Sequence, residues 1–166
     1  NSIRGVAAGA NSTSATGNRS VSPDTARLIA DFAVARGIPE GFVDTAMVWY
    51  VDATALIAAR FQQLDRPLLV GISGCQGSGK STLADLLTTL LSQEKGLRVA
   101  QLSLDDFYLG RESRAALGRD VHALFTTRGV PGTHDLDWLQ RAIDELLAGS
   151  GTVITPKFDK AEDDRT

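Results

Sequence analysis

Apolar positions along the chain recur at two periods, and the changes between them divide it into prospective helices and strands. Leu83, Leu86, Leu87, Leu90 and Leu91 repeat at helical spacing, and Gly96 stands just past them, where a left-handed residue can end a helix. Val43, Met47, Tyr50, Val51 and Leu56 mark apolar helical faces after Pro39, and Leu136, Leu139, Ile143 and Leu146 mark another. Ser22 as cap, Pro23 at the first helical position and Asp24 in the first turn predict a helix that runs to Gly37. Either Thr133 or Asp135 can cap the late helix; Thr133 is the expected cap, which leaves Asp135 for a site. Short apolar runs at 67–72, Leu97–Leu104 and Gly151–Pro156 suit strands buried on both faces of a parallel sheet. The expected fold is therefore α/β, with a helical part at 23–65 and a core at 66–166 in three α/β/α layers. Trp49 and Tyr50 are expected to pack against the sheet, and His122 against the fold.

Composition narrows the class. A chain of 166 residues, 43% hydrophobic, can bury one core, and its net charge of −3 gives no reason to expect a nucleic-acid partner. The apolar stretch Ala46 to Tyr50, continuing through Leu56 and Ile57, is broken by Asp52 and is expected to fall short of a membrane span, so no membrane partner is expected. The single cysteine, Cys75, excludes an internal disulfide and fits a reducing, cytoplasmic compartment. Residues 1–22 are rich in Ser, Thr, Asn, Gly and Ala, carry Arg4 and Arg19, and have no acid before Asp24. Disorder is expected there; a plastid or other organelle is the alternative compartment if the segment is the remnant of a transit peptide.

Between the first apolar run and the leucine stripe lies Gly74-Cys75-Gln76-Gly77-Ser78-Gly79-Lys80-Ser81, followed by Thr82. It fits the phosphate-binding P-loop pattern, placed where a strand hands over to a helix. Gly74, Gly77 and Gly79 let the backbone turn and aim its N–H groups inward, and the helix N-terminus adds partial positive charge. Lys80 is expected to reach the β- and γ-phosphates of ATP, and the Ser81 hydroxyl to ligate Mg²⁺. An ordinary glycine-rich turn would need neither the Lys nor the Ser. Cys75 reads as a small loop-filling residue rather than a reactive thiol.

The second apolar run ends in Asp105-Asp106-Phe107-Tyr108, at the strand end where ligands bind in open α/β sheets. One acid can orient an acceptor hydroxyl and take its proton; the pair can equally anchor Mg²⁺, and spacing alone leaves both open.

Four segments now resemble the D-glycerate 3-kinase family: Gly71 to Thr82, Leu102 to Tyr108, Thr127 to Asp135 and Pro156 to Arg165. That family belongs to the phosphoribulokinase, uridine kinase and pantothenate kinase group of P-loop kinases. The resemblance covers about residues 40 to 166. It implies that Asp105 is the catalytic base beside Lys80, that Asp106 is a supporting or metal-side acid, and that MgATP phosphorylates a D-glycerate hydroxyl to give 3-phosphoglycerate. It also implies an acceptor pocket drawn from Asp106, Tyr108, Arg128, His134, Asp135, Lys160 and Arg165, leading into a mobile lid. Arg128 is the first choice for gripping the glycerate carboxylate, since a planar guanidinium offers two parallel hydrogen bonds. Arg111, Arg114 and Arg119 read either as an anion-attracting edge or as exposed helix charges.

The related kinases continue well past the position where this chain stops, at Thr166. The resemblance thus implies a C-terminally truncated fragment that binds nucleotide poorly and catalyses weakly in isolation, with exposed sheet edges. Two other readings remain: a uridine-like or pantothenate-like alcohol as acceptor, and a non-catalytic nucleotide-binding module. The acceptor segments argue against the module, which needs no such pocket.

Overall fold

The computed structural model describes residues 21–64, 66–149 and 151–166. The expectations for the N-terminal segment lie outside them, apart from Val21 and Ser22. The described residues form two compact units, one of residues 21–70 and 79–101, the other of residues 71–78 and 102–166.

The first unit is helical. Helix α1 (Pro23–Ala35) starts as its sequence dictates: the Ser22 side chain accepts a hydrogen bond from the Thr25 N–H at 3.1 Å, with Pro23 in the first turn. It stops at Gly37, which takes φ 61° and lets Ile38 N–H reach back to Ala33 O at 2.9 Å and Gly37 N–H to Val34 O at 3.1 Å. This double return bond satisfies carbonyls that a helix end otherwise strands. Helix α2 (Gly41–Thr45), a π turn (Ala46–Tyr50) and α3 (Val51–Gln62) follow without interruption. In the π turn Val51 N–H bonds to Ala46 O, and the Thr54 hydroxyl donates to Tyr50 O at 2.7 Å. Helix α4 (Lys80–Gln93) carries the leucine stripe and ends before Gly96, which takes φ 65° as a cap requires.

Ile29, Phe32, Ala46, Leu86 and Leu90 form the core of this unit, with Phe42, Met47, Tyr50 and Val51 packed around it. Tyr50 meets Phe42 edge-on, with ring centroids 5.8 Å apart. Trp49, by contrast, is 68% exposed, so the expectation that both aromatics pack inward holds for Tyr50 alone, and its partners are helices rather than a sheet. The expectation about membrane length is also corrected. The run Gly41–Gln62 is continuous over 22 residues, and by length and composition it is sufficient to cross a membrane. Its Ala46, Thr54 and Ala58 are nonetheless buried within the protein.

The second unit begins with the loop at residues 71–78 and resumes at a 3₁₀ turn, Leu104–Phe107. Helix α5 (Arg111–Asp120), a second 3₁₀ turn (Ala123–Thr126) and α6 (Leu136–Leu147) follow, and strands β1 (Phe158–Asp159) and β2 (Asp164–Arg165) close the chain. Gly118 lets α5 lie against the second 3₁₀ turn: a Cβ there would fall 2.4 Å from the Thr126 methyl. His122 is exposed and accepts from the Leu124 N–H through Nδ1 at 3.2 Å, so it caps this turn instead of packing inward.

The sheet differs from expectation. Among the described residues the only strands are β1 and β2, an antiparallel pair in which Phe158 faces Arg165 and Asp159 faces Asp164. The runs at 67–72, 97–104 and 151–156 carry no strand. A parallel strand draws its hydrogen bonds and its burial from neighbours on both sides. Here those runs have no ladder partner among the described residues, and Leu69 and Ile154 are 44% and 77% exposed. Apolar composition predicts a strand only where the ladder exists to receive it.

Two substitutions test the helical unit by urea unfolding. Leu90→Ala is expected to cost about 2–5 kcal/mol, as for other fully buried leucines. Ser22→Ala is expected to cost about 1 kcal/mol through loss of the α1 cap.

Candidate functional site

The P-loop-like segment 74–81 takes a conformation that explains two of its glycines. Gly77 and Gly79 lie in the left-handed region at φ 77° and 78°, while Gly74 does not. A Cβ on Gly77 or Gly79 would meet nothing within 4 Å, so the demand is conformational rather than one of space. Ser78 N–H closes a turn onto Cys75 O at 3.2 Å, and Gly79 occupies the cap position of α4, its carbonyl accepting from Leu83 N–H at 2.9 Å. Cys75, Gln76, Ser78 and Ser81 are exposed, and Lys80 and Thr82 half-buried. The boundary between the two units falls between Ser78 and Gly79.

The acidic pair lies on the 3₁₀ turn, and its members diverge. Asp105 Oδ2 pairs with Lys160 Nζ at 2.8 Å, whereas Asp106 Oδ1 accepts from the Phe158 N–H at 3.4 Å and so fastens the start of β1. Tyr108 follows, buried, with its ring stacked on His134 at 4.1 Å and meeting the Phe158 edge at 5.3 Å. Two backbone bonds lock this strip to the start of α6: Leu109 N–H to Thr133 O and Asp135 N–H to Phe107 O, each 2.8 Å. Burial pushes the Tyr108 phenol up, and the Asp105 charge adds to that; burial also pushes His134 down. His134 Nε2 is a buried polar atom with no hydrogen-bond partner among the described residues.

Asp135, not Thr133, caps α6. Its Oδ1 accepts from the Trp138 N–H at 3.0 Å, and its Oδ2 pairs with Arg165 at 3.2 Å. Thr133 is fully buried and spends its hydroxyl on Val130 O at 2.6 Å, which removes it from the cap. Arg165 also donates to Tyr108 O at 2.8 Å and lies over the Trp138 ring, so it ties three parts of the unit together.

The residue that organises this region is one whose role the sequence left open between a charged edge and a surface helix. Arg114 is 1% exposed. Its Nε donates to Leu109 O at 3.0 Å, Nη1 to Thr126 O at 3.1 Å, and Nη2 to the backbone O and Oδ2 of Asp163. Asp163 reaches Arg128 Nη1 with its other oxygen and stands at φ 52°, left-handed without being glycine. Asp164 accepts from the Arg111 N–H at 2.8 Å and thereby caps the start of α5, while the Arg111 side chain donates to Glu162 O; Arg119 is exposed. Burial alone would raise the Asp163 carboxyl, but the Arg114 and Arg128 guanidiniums outweigh it and hold the group below the usual carboxylate range. Backbone N–H groups of Arg111 and Arg165 lower Asp164 likewise.

Asp105, Asp106, Tyr108, Arg128, His134, Asp135, Lys160 and Arg165 thus fall into one connected cluster within the second unit. Asp163, Asp164 and Phe158 complete it. The cue for Asp163 lay in the run Glu162-Asp163-Asp164, since Asp tolerates left-handed corners better than most residues. Among the described residues no group of three or more His, Cys, Asp or Glu is arranged to hold a metal.

Residues 42–110 match the family described as methylmalonyl Co-A mutase-associated GTPase MeaB. The chain is 41% identical over 100 residues to the uncharacterized kinase mug58 of Schizosaccharomyces pombe, a match covering 58% of this chain and 36% of that protein. It is 32% identical over 97 residues to the pantothenate kinase of Streptomyces coelicolor, covering 58% and 28%. Among solved structures, D-glycerate 3-kinase from Cryptococcus neoformans var. grubii matches with a TM-score of 0.59 and 33% identity over 73% of this chain and 46% of that one. The chain therefore spans about a third of the length of these curated relatives. It is a P-loop NTPase-related domain, similar to P-loop kinases of the group that includes uridine and pantothenate kinases.

Arg114→Met is expected to destabilise the protein by about 1–3 kcal/mol, because it takes the buried donors away from the carbonyls of Leu109, Thr126 and Asp163, while the part-exposed Asp163 carboxylate keeps Arg128. The lowered carboxyls of Asp163 and Asp164 add a pH dependence with a definite sign. Their contribution is present above the ordinary value of 3.8 and is lost as pH falls through the lower folded-state values. Thermal unfolding between about pH 6 and about pH 2 should show this loss, and Asp164→Asn should flatten it.

Proposed function

We propose that the protein is a kinase that transfers the γ-phosphoryl group of MgATP to a hydroxyl of D-glycerate, giving 3-phosphoglycerate. The observation that carries this reading is the setting of Asp105: an acid paired with Lys160, in a cluster that also holds Arg128 and Arg165. A proton acceptor set among cations suits an alcohol that is itself an anion. Similarity to a solved D-glycerate 3-kinase supports the same acceptor.

In this reading the loop N–H groups around Gly77 and Gly79, with Lys80, hold the triphosphate. The left-handed glycines and the helix start at Lys80 fit that ligand. Ser81 and Asp106 are the residues assigned to Mg²⁺, which neutralises charge on the transferring group when bound. Mg²⁺ sites on nucleotides use few protein ligands, so this assignment needs no all-protein cage, and none is found among the described residues. Arg128 grips the acceptor carboxylate. Asp105 orients the acceptor hydroxyl; as the acceptor oxygen bonds to the γ-phosphorus and the bond to ADP breaks, the hydroxyl proton passes to Asp105.

The MeaB match favours a second reading, a GTP-hydrolysing module. It reaches the phosphate loop and the acidic pair but ends at residue 110, before Arg128, His134, Asp135, Lys160 and Arg165. Nucleoside diphosphate release from ATP and from GTP, with and without D-glycerate, pantothenate or uridine, separates the readings. Glycerate-dependent ADP release that falls about 10²–10⁴-fold in Asp105→Asn is the expected result. Acceptor-independent GTP hydrolysis would favour the module, and a response to pantothenate or uridine would reassign the acceptor.

A further inference from the structure

We propose that Asp163 is the positioning residue that presents Arg128 to the acceptor. This rests on the reading of Arg128 as the carboxylate grip and adds a residue and a geometry to it.

Arg128 is half-buried, and among the described residues both of its hydrogen bonds leave from Nη1, to Asp163 Oδ1 at 2.5 Å and to Lys160 O at 3.3 Å. A guanidinium has a second planar edge, formed by Nε and Nη2, and a planar anion is best held by two parallel N–H groups on one edge. Asp163 therefore holds Arg128 by one end and leaves the other edge to a ligand. Asp163 is itself held: its second oxygen and its carbonyl both engage the buried Arg114, which is fixed by Leu109 O and Thr126 O. The order of constraint runs from the buried guanidinium through the carboxylate to the half-exposed guanidinium.

The corner at Asp163 serves the same end. At φ 52° most side chains are strained, while Asp tolerates the conformation. The position thus combines a left-handed backbone with a carboxylate that can bridge two arginines. Glycine meets the first requirement and asparagine most of the first, but neither carries the charge.

The test compares wild type, Asp163→Asn and Arg128→Met in steady-state kinetics with D-glycerate. It adds ¹⁵N NMR of the Arg128 guanidinium, whose rotation about its terminal bonds is slow only when it is held. Asp163→Asn is expected to raise the KM for D-glycerate about tenfold and to leave the KM for ATP unchanged, as Arg128→Met does, and to free the Arg128 guanidinium. An equal rise in both KM values, or a guanidinium as restrained as in wild type, overturns the proposal. If Arg128→Met leaves the glycerate KM unchanged, the grip reading fails, and the guanidinium rotation alone decides whether Asp163 fixes Arg128. Asp163→Gly, whose backbone accepts the corner, replaces the asparagine variant in every measurement if that variant does not fold.

Discussion

The second unit depends on one buried charge. A guanidinium removed from water is strongly destabilising unless its donors are met, and Arg114 meets that condition with carbonyls from Leu109, Thr126 and Asp163 and with the Asp163 carboxylate. Those partners come from the end of the acidic strip, the second 3₁₀ turn and the corner of the closing hairpin. Regular structure alone would not bring them together, since α5 is ten residues long and the hairpin strands two residues each. The ion and its acceptors fix the strip that carries Asp105.

Around that anchor nearly every charged group near the acidic strip is spoken for inside the protein. Lys160 pairs with Asp105, Arg128 with Asp163, and Arg165 with Asp135. The pairs are not equivalent. Arg165 is held by two carbonyls, a carboxylate and an indole face, which makes it a structural tie. Lys160 is 61% exposed, and exposed pairs are typically worth about 0–1 kcal/mol, so its bond to Asp105 is one that an incoming anion can exchange. Arg128 stands between these extremes, fixed at one nitrogen.

The parts of this arrangement that were legible in the sequence are those decided within a few residues. Ser22-Pro23 begins α1, Gly37 ends it and Gly96 follows α4, because caps act through bonds spanning three to six positions. Leu86, Leu87, Leu90 and Leu91 are buried as their spacing required. The choice between Thr133 and Asp135 was beyond local reasoning: both are good caps, and the backbone bond from Asp135 to Phe107 decides it by burying Thr133 against Val130. Arg114 was illegible for the same reason at greater range, since its carboxylate partner lies 49 residues away. The apolar runs misled because a strand is a property of its neighbours as much as of its residues.

The π turn at Ala46–Tyr50 has a consequence for the helix beyond it. A single wide turn inserts one residue without breaking the rod, so everything after it is rotated by about 100° relative to an uninterrupted α-helix. Ala46 and Tyr50 face the core before the turn closes, and Thr54 and Ala58 continue that face at four-residue intervals, while Val48 and Trp49 are left on the opposite side. The wide turn is in effect a phase adjuster. Removing one residue within it would restore an even helical pitch and leave Thr54 and Ala58 facing the side chains they now meet, whereas closing the wide turn without a deletion would carry both out of register.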